Sequence, residues 1–193
     1  MTFSHFVVLD FEATCDEERP PRPQEIIEFP SVLLDASTLD VVDTFESFVR
    51  PVHHPKLSAF CSSFTGIEQA DVDAAPVFSE VLHRHHAWLR SHGDPNEMVF
   101  ITCGDWDLKR MLPAQCRAAV PPLPRVPAPY RRWVNIKHVF AATTGKRGRG
   151  MASMLTDLKI PLEGRHHRGI DDCRNIARIV VELVRLGAVV ERP

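Results

Sequence analysis

Long apolar runs are missing from this 193-residue chain. None approaches the ~20 residues needed to span a bilayer, so no membrane segment is expected. The start, Met1-Thr2-Phe3-Ser4-His5, lacks the basic residues and apolar stretch of a signal peptide. Cysteine is sparse and scattered: Cys15, Cys61, Cys103, Cys116 and Cys173 form no C-x-x-C pair. That pattern excludes a zinc ribbon or thioredoxin motif. It fits reduced, mostly buried thiols in an intracellular protein, cytoplasmic or nuclear. Internal repeats are absent, and low complexity is confined to the five prolines between Val120 and Pro129.

Acidic residues are absent from Leu108 to Thr156, where ten Lys or Arg occur. The net charge of −2 hides this division. Residues 1–107 hold 19 acidic and 6 basic side chains, whereas residues 108–193 hold 6 acidic and 17 basic. A basic tract of this kind is either a solvated face or a track for a phosphate backbone. Arg131, Arg132, Lys146, Arg147 and Arg149 are its best candidates for backbone contacts.

Patterning places strands at His5–Phe11, Ile26–Leu34, Val41–Val49 and Met98–Thr102, with a hairpin turn at Asp35-Ala36-Ser37-Thr38. Helices are expected at Leu57–Thr65, Val77–Ser91, Leu108–Ala119, Met151–Leu158 and Asp172–Leu186, several closed by a following glycine. Trp133–Ala142 mixes a short extended piece with a helix, and Gly145–Gly150 is a basic loop. The order predicts one α/β domain spanning residues 1–193, with a mixed central β-sheet flanked by α-helices. On the second helix His83, His85 and His86 read as a polar face rather than a zinc site.

Against this background five residues stand out. Asp10 and Glu12 end an apolar strand, and period-2 alternation puts both carboxylates on one face. Asp107 follows the fourth strand, and His167 and Asp172 enter the last helix. Carboxylate-rich sites suit Mg²⁺ or Mn²⁺. Two such ions activate a water and stabilise the leaving oxygen of a phosphodiester. Asp10 would bridge the pair, with Glu12, Asp107 and Asp172 completing the ligands. His167 has the basicity to take the water's proton. Asp172 gains from the positive end of its helix, and neighbouring Asp171 reads as a cap or surface acid. Four clustered carboxylates repel one another, so metal is expected to stabilise the fold.

The strings around these residues are specific. Asp10-Phe11-Glu12-Ala13-Thr14-Cys15, Glu25-Ile26-Ile27-Glu28-Phe29-Pro30, Gly104-Asp105-Trp106-Asp107, Trp133-Val134-Asn135-Ile136 and Gly164 through Arg178 together resemble the DEDDh 3′→5′ exonucleases. Within them the chain is similar to the Eri-1-like group, over about Phe6 to Leu186. The resemblance implies a ribonuclease H-like fold, metal ligation by Asp10, Glu12, Asp107 and Asp172, and His167 as general base. It also implies that Ala13, Thr14, Phe60 and Trp106 contact the 3′-terminal nucleotide. Some relatives carry an N-terminal nucleic-acid-binding segment; nothing before Phe3 serves here, which sets a stem-loop substrate in question. Asp105 is expected to cap the helix after it.

The sequence therefore predicts a Mg²⁺- or Mn²⁺-dependent 3′→5′ exoribonuclease with two ions per site. It would act on single-stranded RNA or RNA 3′ overhangs, and release nucleoside 5′-monophosphates. A DNA-directed exonuclease with the same site and a non-catalytic RNA-binding module are the rival readings.

Overall fold

Six strands form one mixed sheet in the structure, a computed structural model that describes residues 3–190. Met1 and Thr2, on which the reading against a signal peptide partly rests, lie outside them. The strands are β1 (His5–Leu9), β2 (Glu12–Ala13), β3 (Ile26–Asp35), β4 (Val41–Phe48), β5 (Met98–Thr102) and β6 (Trp133–Asn135). β1, β3 and β4 are antiparallel neighbours, while β5 and β6 run parallel to β1. β2 continues the register of β1 on the same edge of β3: Leu9 faces Ser31 and Glu12 faces Glu28. The ladder is broken between them, at Asp10 and Phe11. The strand expected over His5–Phe11 is thus interrupted where its first acid begins.

Helices α1 (Ala59–Thr65), α2 (Gln69–Asp73), α3 (Phe78–Ser91), α4 (Leu112–Ala118), α5 (Ile136–Thr144), α6 (Met151–Leu158) and α7 (Gly169–Arg185) cover both sides. Alternation along β1 splits the core. Val7, Leu9 and Phe11 pack with α3 and α4. Phe6 and Val8 face α5, α6 and α7 through Ile136, Phe140, Met154, Ile176, Ile179 and Leu183. Each fully buried aliphatic or aromatic side chain contributes about 1.5–3 kcal/mol, so both faces hold the sheet firmly.

Four expectations are corrected. The helix predicted at Leu108–Ala119 begins with a π-helical turn over Trp106–Met111 and becomes α-helical at Leu112; wide turns of this type recur at functional sites. The last helix starts three residues earlier than expected, at Gly169. Its first amides are satisfied from another strand: Glu28 accepts from Gly169 N at 3.0 Å and Ile170 N at 3.2 Å. Asp105 makes no side-chain cap bond. Its Oδ1 instead accepts from the Trp133 indole at 3.1 Å and Asn135 Nδ2 at 3.4 Å, tying the π turn to β6. The histidine cluster is not simply a polar face, because His85 is fully buried. Its Nδ1 meets Tyr130 Oη at 2.8 Å and its Nε2 meets Ser31 Oγ at 2.9 Å. Burial pushes its pKa down to about 3, so the ring is neutral.

Among the described residues no helix is long and apolar enough to cross a membrane. All five cysteines are free thiols, with Cys61, Cys116 and Cys173 buried.

Candidate active site

The break after β1 builds the site. Asp10 and Glu12 continue the α7-facing row of Phe6 and Val8, Asp10 at the break and Glu12 where pairing with β3 resumes. Phe11 points to the other face, and its N–H donates to Asp107 Oδ1 at 2.9 Å. That bond draws the π turn against the strand end. On the opposite side α7 brings in Asp172 from its first turn. Carboxylate oxygens of Asp10, Glu12 and Asp172 all lie within 4.8 Å of one another. Close backbone approach makes this possible: a Cβ on Gly169 would stand 2.8 Å from the Asp10 carbonyl oxygen.

So many acids in so little water hold protons tightly. Burial, then the neighbouring carboxylates led by Asp107, raise Asp10 well above the ordinary range. Burial and Asp172 push Glu12 up to about 9. Burial raises Asp107 to about 6 and Asp172 to about 7; the amides of Phe11 and His167 oppose it, each on its own carboxylate. Asp172 carries the most informative defect. Its Oδ2 accepts from His167 N at 2.9 Å, but its Oδ1 is buried and has no partner among the described residues. A buried carboxylate oxygen left unpaired costs free energy unless a cation sits against it. The donor set is all oxygen, and it fits a divalent hard cation.

His167 adopts φ +67, a left-handed conformation that a β-carbon disfavours. Its amide is thereby aimed at Asp172. Its ring is half-buried between two others: Phe64 stacks on it at 4.0 Å and His166 at 3.9 Å. Burial, then the adjacent His166, lowers the pKa of His167, so the ring stays neutral near pH 7 and able to accept a proton. Phe60 stacks in turn on Phe64 at 5.6 Å, continuing the row along α1.

Other residues picked out from the sequence are placed unevenly. Ala13 and Thr14 are buried beside Glu12; the Thr14 hydroxyl accepts from Glu25 N at 3.0 Å and helps to pin β2 to β3. Phe60 and Trp106 expose 36% and 38% of their surface, enough for a base to cover. Lys146, Arg147 and Arg149 lie in the loop whose Gly148 packs against the backbone of Lys137, on the site's side of the sheet. Lys146 is engaged by Asp157 at 2.9 Å. Arg131 and Arg132 are not brought to the site. Arg131 bonds to Val126 O, and Arg132 to Asn96 O just before β5, at the end of the sheet opposite Asp107. Asp171 accepts from Arg165 N and pairs with Arg174, away from the cluster.

Sequence reasoning gave no role to Glu28, Lys137 or Phe64. Glu28 is the cross-strand partner of Glu12, fully buried, and paired with Arg168 Nε at 3.2 Å. Lys137 lies close enough to the Asp107 carboxylate to favour its charged form. Glu28 lies in a string already matched to the family, but its service to α7 spans 141 positions and no local pattern records it.

The family model described as "Exonuclease" matches residues 7–180. The chain is also 43% identical to the human protein ERI1 exoribonuclease 3 over 191 residues, covering 97% of this chain and 56% of that one. This chain belongs to the exonuclease family. The solved nuclease domain of 3′hExo, a DEDDh family member bound to rAMP, superposes with a TM-score of 0.91 at 36% identity, covering 99% of this chain and 96% of that one. A 3′-exonuclease recognising the histone mRNA stem-loop gives 0.92 at 35%, covering 98% and 66%. The mixed sheet with its helices is therefore the ribonuclease H-like fold of DEDDh exonucleases. The chain spans a little over half the length of the curated relatives it matches. Membership implies dependence on a divalent metal, consistent with the all-oxygen cluster.

Proposed function

We propose that this chain is a 3′→5′ exoribonuclease that trims RNA 3′ ends and releases nucleoside 5′-monophosphates. The carboxylate of Asp172, within 4.8 Å of those of Asp10 and Glu12 and with its buried Oδ1 unpartnered among the described residues, carries the reading. Asp10, Glu12, Asp107 and Asp172 are the residues to hold two Mg²⁺ or Mn²⁺ ions. When bound, the ions activate a water and neutralise charge developing on the phosphoryl group. His167, neutral and clamped by Phe64, takes the proton of the attacking water and later releases it to solvent. Ala13 and Thr14 close one side of the 3′-nucleotide pocket. Exposed rings at Phe60 and Trp106 stack on bases, a contact worth about 1–3 kcal/mol per base and tolerant of sequence. A contact to the 2′-hydroxyl favours RNA over DNA. Arg147 and Arg149 follow the backbone leading into the site.

The test is to incubate 5′-labelled single-stranded RNA, stem-loop RNA and matched DNA with Mg²⁺, with Asp10→Ala as control. A ladder shrinking from the 3′ end, faster on RNA and absent in Asp10→Ala, is expected. Internal cuts, or cleavage that persists in chelator, overturn the reading. Faster loss of DNA transfers it to a DNA-directed exonuclease.

A further inference from the structure

A second donor set overlaps the carboxylate cluster. Consecutive side chains of an extended segment diverge, but the left-handed backbone at His167 turns its ring and that of His166 to the same side. The two imidazoles lie face to face, 3.9 Å apart and inclined by 17°. Neither ring has a hydrogen bond among the described residues. One nitrogen of each, together with a carboxylate oxygen of Asp172, falls within 4.8 Å of the others. One of the Asp172 oxygens, Oδ1, is buried and without a partner among the described residues. His166 is exposed, so an ion can reach the set from solvent.

Two imidazoles and one carboxylate make a different ligand field from that of Asp10 and Glu12. Nitrogen donors favour Zn²⁺ and its neighbours over Mg²⁺, and three protein ligands with an open fourth position is a common zinc arrangement. Zinc ligand atoms stand about 3.3 Å apart in a tetrahedron with bonds near 2.0–2.1 Å. Each imidazole nitrogen binds a metal in its ring plane, so closing the set requires His166 to leave the stack and turn its nitrogen toward that of His167, which its exposure allows.

We propose that His166, His167 and Asp172 form a transition-metal site of the Zn²⁺ class whose occupation excludes catalysis. An ion there takes the His167 nitrogen that would accept the water's proton, and the Asp172 oxygen that would hold a catalytic cation. Phe64 continues to cover the other face of His167, so the ring need not leave its position. His166 is not among the proposed Mg²⁺ ligands, so it is the residue that distinguishes the two sites. Binding of Zn²⁺ stands independently of the exoribonuclease reading; only the inhibition rests on it.

The experiment titrates ZnCl₂ calorimetrically into the chelator-treated protein with Mg²⁺ in large excess, comparing wild type with His166→Ala and His166→Asn. Hydrolysis of single-stranded RNA is then followed over the same zinc range. Wild type is expected to bind one Zn²⁺ that Mg²⁺ does not displace. Both variants should bind it at least about tenfold more weakly, the loss typical when a metal site's support is removed. Relative to each variant's own Mg²⁺-supported rate, correspondingly more zinc should be needed for half-inhibition. Equal zinc affinity in all three proteins, or complete displacement by Mg²⁺ in wild type, overturns the proposal. Absence of RNA hydrolysis in wild type at any zinc level, with zinc binding intact, removes the exoribonuclease reading and leaves the metal site standing.

Discussion

Each face of the sheet buries a polar side chain, and the two are solved differently. On the side of α3, His85 lies among Phe29, Phe45 and Trp88, and both ring nitrogens have hydroxyl partners. On the side of α7, Asp172 has one oxygen bound by an amide and the other without a partner among the described residues. His85 is complete within the fold, so it acts as a strut between α3, β3 and the Tyr130 segment. Asp172 is completed only by something from outside. Burial alone does not separate the two cases; the tally of partners does.

Breaking the two sites should give different kinds of damage. Asp10→Asn or Asp172→Asn removes a proposed metal ligand worth several kcal/mol of transition-state charge stabilisation. At tenfold per 1.36 kcal/mol, hydrolysis should fall about a thousandfold or more. The metal-free melting temperature should hold or rise, since the variant no longer buries an acid that ionises on unfolding. Steady-state kinetics beside a thermal scan reads both, and a variant that loses activity only by unfolding counts against the division.

His85→Ala should do the reverse. It leaves the Ser31 and Tyr130 hydroxyls unpaired and opens a cavity, costing about 2–4 kcal/mol. The folded fraction should retain its activity. Urea unfolding gives the first quantity and activity per folded molecule the second; a stability loss below ~1 kcal/mol would show that the strut is dispensable.

Stability against pH sharpens the contrast, because the two sites slope in opposite directions. His85 titrates near 3 when folded against an ordinary 6.5, so its contribution is present above 6.5 and is lost as pH falls. Glu12 and Asp172 titrate near 9 and 7 against 4.5 and 3.8. The folded state holds these protons more tightly, so their contribution is full at low pH and is lost as pH rises through about 9. Metal-free protein should lose stability between pH 7 and 9. Saturating Mg²⁺ or Glu12→Gln should flatten that limb. An alkaline limb that is flat without metal argues against the cluster as described.

The smallest effect concerns the basic tract. Arg147→Ala with Arg149→Ala should lower the slope of log affinity against log salt by about 1.4 for a single strand, at ~0.7 per phosphate contact. Arg131→Ala with Arg132→Ala, at the far end of the sheet, should leave it unchanged. Equal slopes for the two pairs would dissolve the distinction between them.

What the sequence disclosed was local and periodic. Asp10 and Glu12 share a face by alternation, and Asp172 belongs to a helix with a clear apolar stripe. What it withheld depends on contacts between distant segments. The start of α7 is set by Glu28, and no helix signal precedes Gly169. Asp105 turns to Trp133 rather than to its own helix because β6 lies within reach. His85 looks polar beside His83 and His86 until Tyr130 and Ser31 are seen around it. The direction in which Arg131 and Arg132 point follows from the parallel pairing of β6 with β5, which composition cannot express.

Main-chain amides hold the carboxylates of the site and its surroundings: Phe11 N on Asp107, His167 N on Asp172, and Gly169 N and Ile170 N on Glu28. In a nitrogen-15 NMR spectrum these four signals are native reporters. Phe11 and His167 follow the charge of two different carboxylates, while Gly169 and Ile170 record whether the helix still grips its strand. Loading an ion, protonating an acid and loosening the helix thus leave separable spectral signatures without any label being attached to the site.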